Sequence, residues 1–538
     1  MGDDYNLDDL RLDANDAFHV ASRYHAELRE IYRYFMPWRL PTSERAGNAS
    51  GRTEGSRLGN ESVFDATGLS AAASFVANMQ ADWFPHFQPI FKAEAGPLYP
   101  ADGVDEFNRG LETATKVVHG LLPQTRVTVL EPLQDLFAGT GAMFLEKGER
   151  DHEPIRPSAV PIYEMAMANG PWGPVDRWWW KRNWKARHIP ELWPDAKIGD
   201  RLWRQIKQNR NSDVEVCQYT FWDARQKRYM LRSWTPVDDT ILRKASYRTT
   251  PWITPRMFVV PGESFGRGLA HLALPSVKSL NKARELALRA AAFALLGLWM
   301  RRHDGVFNPE TAVMAPGRMW KVAHTSGPLK SIERLDVPNN FDISNVVMKD
   351  EREQVRRVTL DDELPELADR VRSPTEIAGR MRRFDRNRGG NTVRFGAEMI
   401  VPIARRSFDI SEELGILPTN LKIDQSVTQV TVLSPAAVAA RAADTERLVS
   451  FLQIVAGLFG PQAVMLVSEI EKVIPKMARD MGIDANDLRT QAGTKELQDR
   501  VAQYLAQIQA SEQAKAVQAK AMVEPDQMAR QQYMEGAV

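Results

Sequence analysis

One long helical segment constrains the fold of this chain more than any other feature of its 538 residues. Ser373-Pro374-Thr375-Glu376 is a capping box with proline at the first helical position, which predicts a helix start. Apolar residues then recur at helical spacing until Gly415 and Pro418, with bends expected at Gly389-Gly390 and Pro402. About 40 residues of helix at ~1.5 Å per residue would reach roughly 60 Å, which suits an elongated subunit of an assembly.

Composition excludes several classes of protein. Lysine and arginine number 70 against 69 acidic residues, so any contact with DNA must come from local patches. Cys217 is the only cysteine, which excludes an intramolecular disulfide and a multi-cysteine metal site and favours a reducing, intracellular setting. The most apolar run, residues 290–300, is too short to span a bilayer, and the N-terminus has no hydrophobic signal core, so we expect no membrane segment.

The periodicity of the remaining chain predicts an α+β fold that is mainly helical. Helices are predicted at residues 14–38, 64–84, 104–121, 202–208, 280–300, 346–360 and 434–460, with a last helical stretch at 495–522. Strands are predicted at residues 126–130, 142–146, 214–222, 228–234, 257–260 and 421–433. The strands between residues 126 and 260 would form the β part of the body.

The helix predicted at residues 280–300 has a face of small residues and a charged face. The first face consists of Leu280, Ala283, Ala287, Ala291, Ala294 and Leu298, which indicates close packing on another helix. The second face comprises Lys278, Lys282, Glu285 and Arg289. The charged face either contacts DNA phosphate or is solvated, with ion pairs from Glu285 to Lys282 and Arg289. The solvated interpretation is the default.

One string has the form of an enzyme motif. Gly262-Glu263-Ser264-Phe265-Gly266 matches the G-x-S-x-G pattern of a hydrolase nucleophile elbow, and His324 is a partner by chain order. An elbow leads directly into a helix, whereas Gly268 and Pro275 leave only a short helical stretch here, after a strand-rich region. We therefore favour a turn between the strands and the next helix, and a serine hydrolase stays an alternative.

Three further patterns have simple structural interpretations. Gly139-Thr140-Gly141 lacks the lysine and the spacing of a phosphate-binding loop and is interpreted as a turn. The nine histidines form no H-E-x-x-H motif and no pair at helical ligand spacing, so we expect no metal site. Residues 177–185 interleave tryptophans with basic residues, which permits stacking on single-stranded nucleic acid. A packing strand is favoured, and a nucleic-acid-binding module is the second alternative.

Several short strings follow one another in a specific order along most of the chain. They are IYRYFMPWR at residues 31–39, VFDATG at 63–68, FGRG at 265–268, ALPSVKSLN at 273–281, SPTEI at 373–377, PIARRSF at 402–408 and GILP at 415–418. In this order they resemble the portal, or head-to-tail connector, proteins of short-tailed, double-stranded DNA bacteriophages. The last three strings look like the spine helix of that family.

The resemblance implies a portal fold that assembles as a ring. Its parts would be a wing at residues 1–274, a first stem helix at 275–302, a clip at 303–340, a second stem helix at 341–360, a tunnel loop at 361–372, a spine helix at 373–418, a wing return strand at 419–433, and a crown with C-terminal helices at 434–538.

The resemblance also implies a function without a catalytic residue or a cofactor. Members of the family form a ring, usually of twelve subunits, at one capsid vertex of the virion, through which double-stranded DNA is packaged and ejected. The implied partners are terminase, major capsid and scaffolding proteins, and tail adaptor proteins, with assembly in the host cytoplasm and no contact with a membrane. Candidate DNA-channel residues are Lys278, Lys282, Arg289, Glu363, Leu364, Glu366 and Leu367, and the face of small residues is the candidate subunit contact.

Overall fold

The computed structural model describes residues 7–41, 63–85, 88–100, 104–150, 152–296, 298–301, 332–335, 341–361, 392–417, 427–433, 448–455 and 457. The chain divides into two compact units, Met1–Lys92 with Thr115–Ala437 and Ala93–Ala114 with Val438–Val538. Helices and sheets are both present, which confirms the mixed architecture expected from the sequence. Among the helices of the described ranges, none is long and apolar enough to cross a membrane.

The N-terminal part of the chain is helical, as predicted. Helix α1 (Leu7–Phe35) starts seven residues before the predicted position 14, and a 3-10 turn at Pro37–Arg39 follows it. Helix α2 (Thr67–Trp83) packs against α1, because Gly68, Ala71 and Ala72 are buried and allow a close approach. Strand β1 (Phe91–Ala95) and helix α3 (Val104–Gly120) come next.

Residues 126–130, predicted as a strand, are helical. Helix α4 (Pro123–Thr128) runs almost directly into helix α5 (Leu130–Ala138). Pro123 suits a first helical turn, where its missing N–H leaves no hydrogen bond unmade. The N–H of Val129 then donates to the carbonyl of Thr125 at 3.0 Å. The β-branched residues of this stretch suggested a strand, but their weak preference yields to the packing of the buried Val129.

A three-stranded and a five-stranded antiparallel sheet form the β part. Strands β2 (Met143–Arg150) and β3 (Glu153–Ala159) belong to the first sheet. The second is a meander of β4 (Met165–Asn169), β5 (Val175–Lys185), β6 (Asp213–Asp223), β7 (Arg228–Thr235) and β8 (Thr240–Tyr247), paired in chain order. Short β9 (Trp252–Ile253) pairs with β2. Three predicted strands are confirmed, whereas residues 257–260 form only an isolated bridge from Phe258 to Arg267.

The tryptophan-rich string forms β5 and contributes to the core. Trp178, Trp179 and Trp180 are all buried, and Trp179 stacks on Tyr219 of β6 with ring centroids 4.7 Å apart. This confirms the packing-strand interpretation. Between β5 and β6 lie helices α6 (His188–Leu192) and α7 (Asp200–Gln208).

Two helices and two short strands follow the β part. They are α8 (Leu269–Leu296), β10 (Leu298–Arg301), β11 (Ile332–Leu335) and α9 (Phe341–Val358). Helices α8 and α9 pack against each other, and β10 pairs antiparallel with β11. Helix α8 begins before both predicted starts, 275 and 280, and the N–H of Gly268, just before the helix, donates to Nδ1 of His271 in the first turn, which caps this earlier start. Pro275 therefore lies inside the helix.

The long helix predicted at residues 373–418 is described from Thr392 onward. Helix α10 (Thr392–Phe395) continues through a π-helical turn (Gly396–Ile400) into helix α11 (Val401–Glu413). The π turn immediately precedes Pro402, which has no N–H for the carbonyl of Glu398, so the helix is irregular at the place where the sequence predicts a bend. Gly415, with φ of +72°, lies just past the helix end, as expected.

The described part of the last third of the chain contains one further strand and one further helical segment. The capping box at residues 373–376 and Gly389-Gly390 lie outside the described residues. Strand β12 (Thr428–Val432) confirms the core of the strand predicted at 421–433. Residues 448–455 are helical, within the helix predicted at 434–460, and the stretch at 495–522 lies outside the described residues.

Candidate functional site

The candidate channel residues of α8 pair with acidic side chains of the same chain. Lys278 forms an ion pair with Glu30 of α1, and Lys282 Nζ lies 2.9 Å from Glu285 Oε2. Arg289 pairs with the same carboxylate. The hydrogen bond from Lys282, together with the positive charge of Arg289, lowers the pKa of Glu285. The ion pairs expected on this face are therefore present, and its positive charges have partners.

The predicted packing face of α8 is only partly buried in one copy of the chain. Leu280 is buried, and Ala283, Ala287 and Ala291 are half-buried. Ala294 lies in the helix near its end, at a position whose side chain is outside the described set. Leu298 was wrongly assigned to this face, because α8 ends at Leu296 and Leu298 pairs with Leu335 in the small sheet.

Large apolar side chains are exposed on both α8 and α9. Leu286 and Leu288 of α8 are 52% and 46% exposed, and Val346 and Val347 of α9 are 69% and 52% exposed. The stripe of small residues did not include these positions. In the sequence, these four residues are marked only by being apolar at positions where each helix is otherwise polar. Leu286 and Leu288 are two positions apart and therefore lie about 200° apart around α8, so the exposed apolar side chains occupy more than one side of the helical pair.

Four candidate channel residues belong to the predicted tunnel loop. Glu363, Leu364, Glu366 and Leu367 lie outside the described residues.

A polar junction connects α8, α9 and the segment before α2. Asn281 of α8 accepts hydrogen bonds from the backbone N–H groups of Phe64 at 2.7 Å and Asp65 at 3.2 Å. Arg352 of α9 donates to Asp65 at 2.7 Å. Burial raises the pKa of the Asp65 carboxyl, but hydrogen bonds from Thr67 and Arg352 outweigh it and lower the pKa overall. The VFDATG string marked one side of this junction, but its partners are too distant in sequence to be recognised.

Two glycine-containing strings meet backbone to backbone. The N–H of Gly266 donates to Thr140 Oγ1 at 2.8 Å. A Cβ atom at Gly139 would overlap the carbonyl of Gly266, and one at Gly268 would overlap the carbonyl of Phe137. The turn interpretation of Gly139-Thr140-Gly141 is confirmed, since Gly139 ends α5 with φ of +137° and β2 follows.

The loop with the G-x-S-x-G pattern does not have the geometry of a nucleophile elbow. Phe258 and Arg267 exchange backbone hydrogen bonds of 2.9 and 2.7 Å, so Ser264 lies in a loop closed by an antiparallel bridge. A long helix does follow this loop, which corrects the expectation of a short one. An elbow instead places its serine between a strand and the helix that directly follows it. His324 lies outside the described residues.

A cluster of charged side chains attaches α11 to the β part. Arg406 is fully buried, donates from Nε to the carbonyl of Leu145 at 3.2 Å, and pairs with Asp409 at 3.0 Å. Its guanidinium lies 4.7 Å from the centre of the Tyr247 ring. Arg248 also pairs with Asp409, at 2.7 Å. No three or more metal-ligating side chains come together as a metal site in the part of the chain described here.

Comparison with known proteins identifies the family. A family model described as "Bacteriophage head to tail connecting protein" matches residues 16–488. Among solved structures, the chain is similar to one from the virion of a native gene transfer agent particle, with 11% identity and a TM-score of 0.30, covering 82% of this chain and 99% of that one. A chain from the neck of an empty gene transfer agent particle gives 12% identity and a TM-score of 0.31, covering 82% and 98%.

A search of curated proteins finds no match. The family model nevertheless spans most of the chain, and it confirms the resemblance seen in the order of the sequence motifs. This chain belongs to the family of bacteriophage head to tail connecting proteins.

Proposed function

We propose that this connector is a portal subunit, whose copies form a ring at one capsid vertex. Double-stranded DNA passes through the ring during packaging and ejection, and terminase and later the tail dock on it. Family membership supports this proposal, because a connector must join head and tail while leaving a path for DNA. The twelvefold ring and the contacts with capsid, scaffolding and tail adaptor proteins belong to the same proposal.

The pair of α8 and α9 is the observation that carries the proposal. Two packed helices are connected through a small antiparallel sheet, in the order helix, strand, strand, helix. This order supports the proposed succession of a first stem helix at residues 275–302, a clip at 303–340 and a second stem helix at 341–360, with the correction that the first helix ends at Leu296 and residues 298–301 form a strand. The wing at residues 1–274, the tunnel loop at 361–372 and the spine helix at 373–418 complete the proposed subunit, with the return strand at 419–433 and the crown at 434–538.

The exposed apolar residues of the two helices support packing between subunits. Full burial of one leucine or valine side chain contributes roughly 1.5–3 kcal/mol. Leu286, Leu288, Val346 and Val347 together could therefore stabilise a contact with the same helices of a neighbouring copy. In a closed ring this contribution is repeated at every subunit interface.

The charge pattern of α8 supports weak contact with DNA. A channel with many unpaired basic side chains would hold phosphate strongly and release many counterions on binding. Here Lys278, Lys282 and Arg289 already have carboxylate partners, Glu30 and Glu285. The two carboxylates offset two of the four positive charges of α8, Arg284 included, so the helix holds phosphate less strongly than four unpaired basic side chains would.

Electron microscopy of the purified full-length chain tests the proposal. We expect rings with a central hole, and fewer rings when Leu286 and Leu288 are both replaced by aspartate. Leu98→Asp is the matched control, because Leu98 is also exposed, at 73%, but lies outside α8 and α9. A chain that stays monomeric at every concentration and inside assembling particles would overturn the proposed ring.

A further inference from the structure

A histidine side chain caps the first turn of α8. Gly268 is the residue just before the helix, and its N–H donates to Nδ1 of His271 at 3.2 Å. In return, the backbone N–H of His271 donates to the carbonyl of Gly268 at 3.1 Å. Capping boxes carry glutamate or glutamine at this third helical position, where the side chain accepts an N–H that the helix leaves unsatisfied. His271 takes the place of that residue, but its side chain titrates near neutral pH.

Pro275 makes the first turn depend on this cap. It lies inside α8, four residues after His271, and has no N–H to donate to the His271 carbonyl. The start of the helix therefore has one backbone hydrogen bond fewer than a regular helix. The side chains of Leu269, Ala270 and Ala273 are buried and keep the turn in its place. The cap contributes to how firmly the backbone of this turn is hydrogen-bonded.

The cap requires an Nδ1 atom without a proton. In the neutral ring the proton is then on Nε2, which is buried and has no hydrogen-bond partner among the described residues. Nε2 lies 3.8 Å from Oε2 of Glu27 in α1, too far for a hydrogen bond but within reach of an ion pair. A second proton would place an N–H at Nδ1 opposite the N–H of Gly268. Protonation therefore removes the acceptor and gives the ring a charge that Glu27 attracts.

Charged and polar groups of three elements face the ring of His271. They are Tyr24 and Glu27 of α1, Glu263 and Arg267 of the loop before α8, and the carbonyl group of Ala138 at the end of α5. Burial and the positive charge of Arg267 lower the pKa of His271, whereas Glu27 and the Ala138 carbonyl oppose this lowering. The ring is therefore neutral at pH 7 and takes up its second proton only below pH 6.5.

We propose that protonation of His271 breaks its hydrogen bond with Gly268 and turns the imidazolium towards Glu27, so that the first turn of α8 loosens in acid. The unfolded chain binds this proton before the folded chain does. The cap is therefore complete above pH 6.5 and is lost as the pH falls through the folded pKa. In the loosened state the regular helix begins at Pro275, which suits a first helical position because no N–H is needed there. The inference concerns one copy of the chain and does not depend on the proposed ring.

Hydrogen–deuterium exchange of the full-length chain between pH 7.5 and 4 tests the proposal. After correction for the intrinsic pH dependence of exchange, the amides of residues 268–274 should lose about fivefold of their protection, the usual effect of losing one helix cap. His271→Gln should retain its protection over this range, because glutamine accepts at the same helical position and does not titrate. All other titrating groups are shared by the two chains. His188→Gln is the control, since His188 is exposed on α6, and it should behave like the wild type.

Glu27→Gln gives a second measurement. Without this carboxylate the imidazolium is less stable, so the loss of protection at residues 268–274 should move to lower pH. Glu30→Gln is the matched control, because Glu30 lies on the same helix but pairs with Lys278, and the loss should stay at the wild-type pH. An identical pH dependence in the wild type and in His271→Gln would overturn the proposal. An unchanged midpoint in Glu27→Gln would overturn it as well, and both results leave the proposed function intact.

Discussion

Arg256 donates three hydrogen bonds to the carboxylate of Glu398. The donors are its backbone N–H at 3.0 Å, Nε at 3.2 Å and Nη2 at 2.9 Å. The two side chains are only 11% and 23% exposed. The pair connects the segment before α8 to the π turn of the long helix. Removal of one partner from such a pair leaves the other charged group poorly solvated.

We expect Glu398→Gln to lower the free energy of unfolding by about 2 kcal/mol, because hydrogen bonds to a charged group are stronger than those to an amide. Denaturant titration measures this change. Glu353→Gln is the control, since Glu353 pairs with Arg357 at 3.3 Å on the exposed side of α9. Its loss should be within about 0.5 kcal/mol. Equal losses for the two variants would contradict the importance assigned to the Arg256 pair.

Gly268→Ala should destabilise the fold through a steric clash. The new Cβ would meet the backbone of Phe137, Ala138 and Gly139, which cannot rotate away as a side chain can. We expect a loss of about 1–3 kcal/mol, measured as a lower midpoint of thermal unfolding.

Gly110→Ala is the control for this substitution. Gly110 lies inside α3, and nothing within 4 Å would meet its Cβ. Alanine is a better helix former, so this variant should gain about 0.5–1 kcal/mol. A tolerated alanine at position 268 would show that the two backbone segments can separate at little cost.

Stability should fall as the pH decreases from 6.5 to 4. Burial lowers the pKa of His119 from 6.5 to about 4, although its Nε2 lies 2.9 Å from the Phe91 carbonyl. Because the folded pKa is below the unfolded one, the unfolded chain binds the proton first. The contribution of neutral His119 to the free energy of unfolding is therefore complete above pH 6.5 and is lost by about pH 4. The total loss is about 3 kcal/mol.

The pH dependence of the denaturation midpoint measures this loss. His119→Gln should make the decline between pH 6.5 and 4 shallower, because no imidazole is left to protonate. His19→Gln is the control, since His19 is exposed on α1. An identical decline in the wild type and in His119→Gln would assign the acid sensitivity to other groups.

Charge reversal in the proposed tunnel loop should slow DNA. Replacement of both Glu363 and Glu366 by lysine adds positive charge at the proposed constriction and strengthens contact with phosphate. We expect slower packaging and ejection, most clearly at low salt, measured as DNA length inside particles over time. Glu191→Lys adds charge at an exposed site on α6 and serves as the control. Unchanged rates of packaging and ejection in the double variant would show that the charge of this loop does not affect DNA transit.

Periodicity and composition correctly predicted those helices and strands whose apolar residues in the sequence are also the residues buried in the fold. The tryptophan strand, α2 and the end of the long helix at Gly415 are of this kind. The strand expected at residues 126–130 was wrong because a weak β preference competed with a proline-started helix. The start of α8 was predicted too late, because Pro275 suggested that a helix would begin there. In the structure the helix begins at Leu269, and His271 caps its first turn.

The candidate site was less predictable than the fold. Ion pairs of Glu285 follow from helical spacing, and they were expected. The pair of Lys278 with Glu30 and the junction of Asp65 with Arg352 join residues that are hundreds of positions apart. Only the folded chain brings such partners together.

The π turn before Pro402 lets one helix address two different neighbours. Residues eleven positions apart, such as Phe395 and Arg406, lie on nearly the same side of an uninterrupted α-helix, roughly three turns apart. The wider turn, in which the Val401 N–H donates to the Gly396 carbonyl, shifts this phase. Phe395 meets Trp83 of α2 with ring centroids 4.7 Å apart, while Arg406 reaches the carbonyl of Leu145 in β2. The extra residue in the π turn thus rotates the helix segment after it relative to the segment before it, so that the two segments contact different parts of the protein.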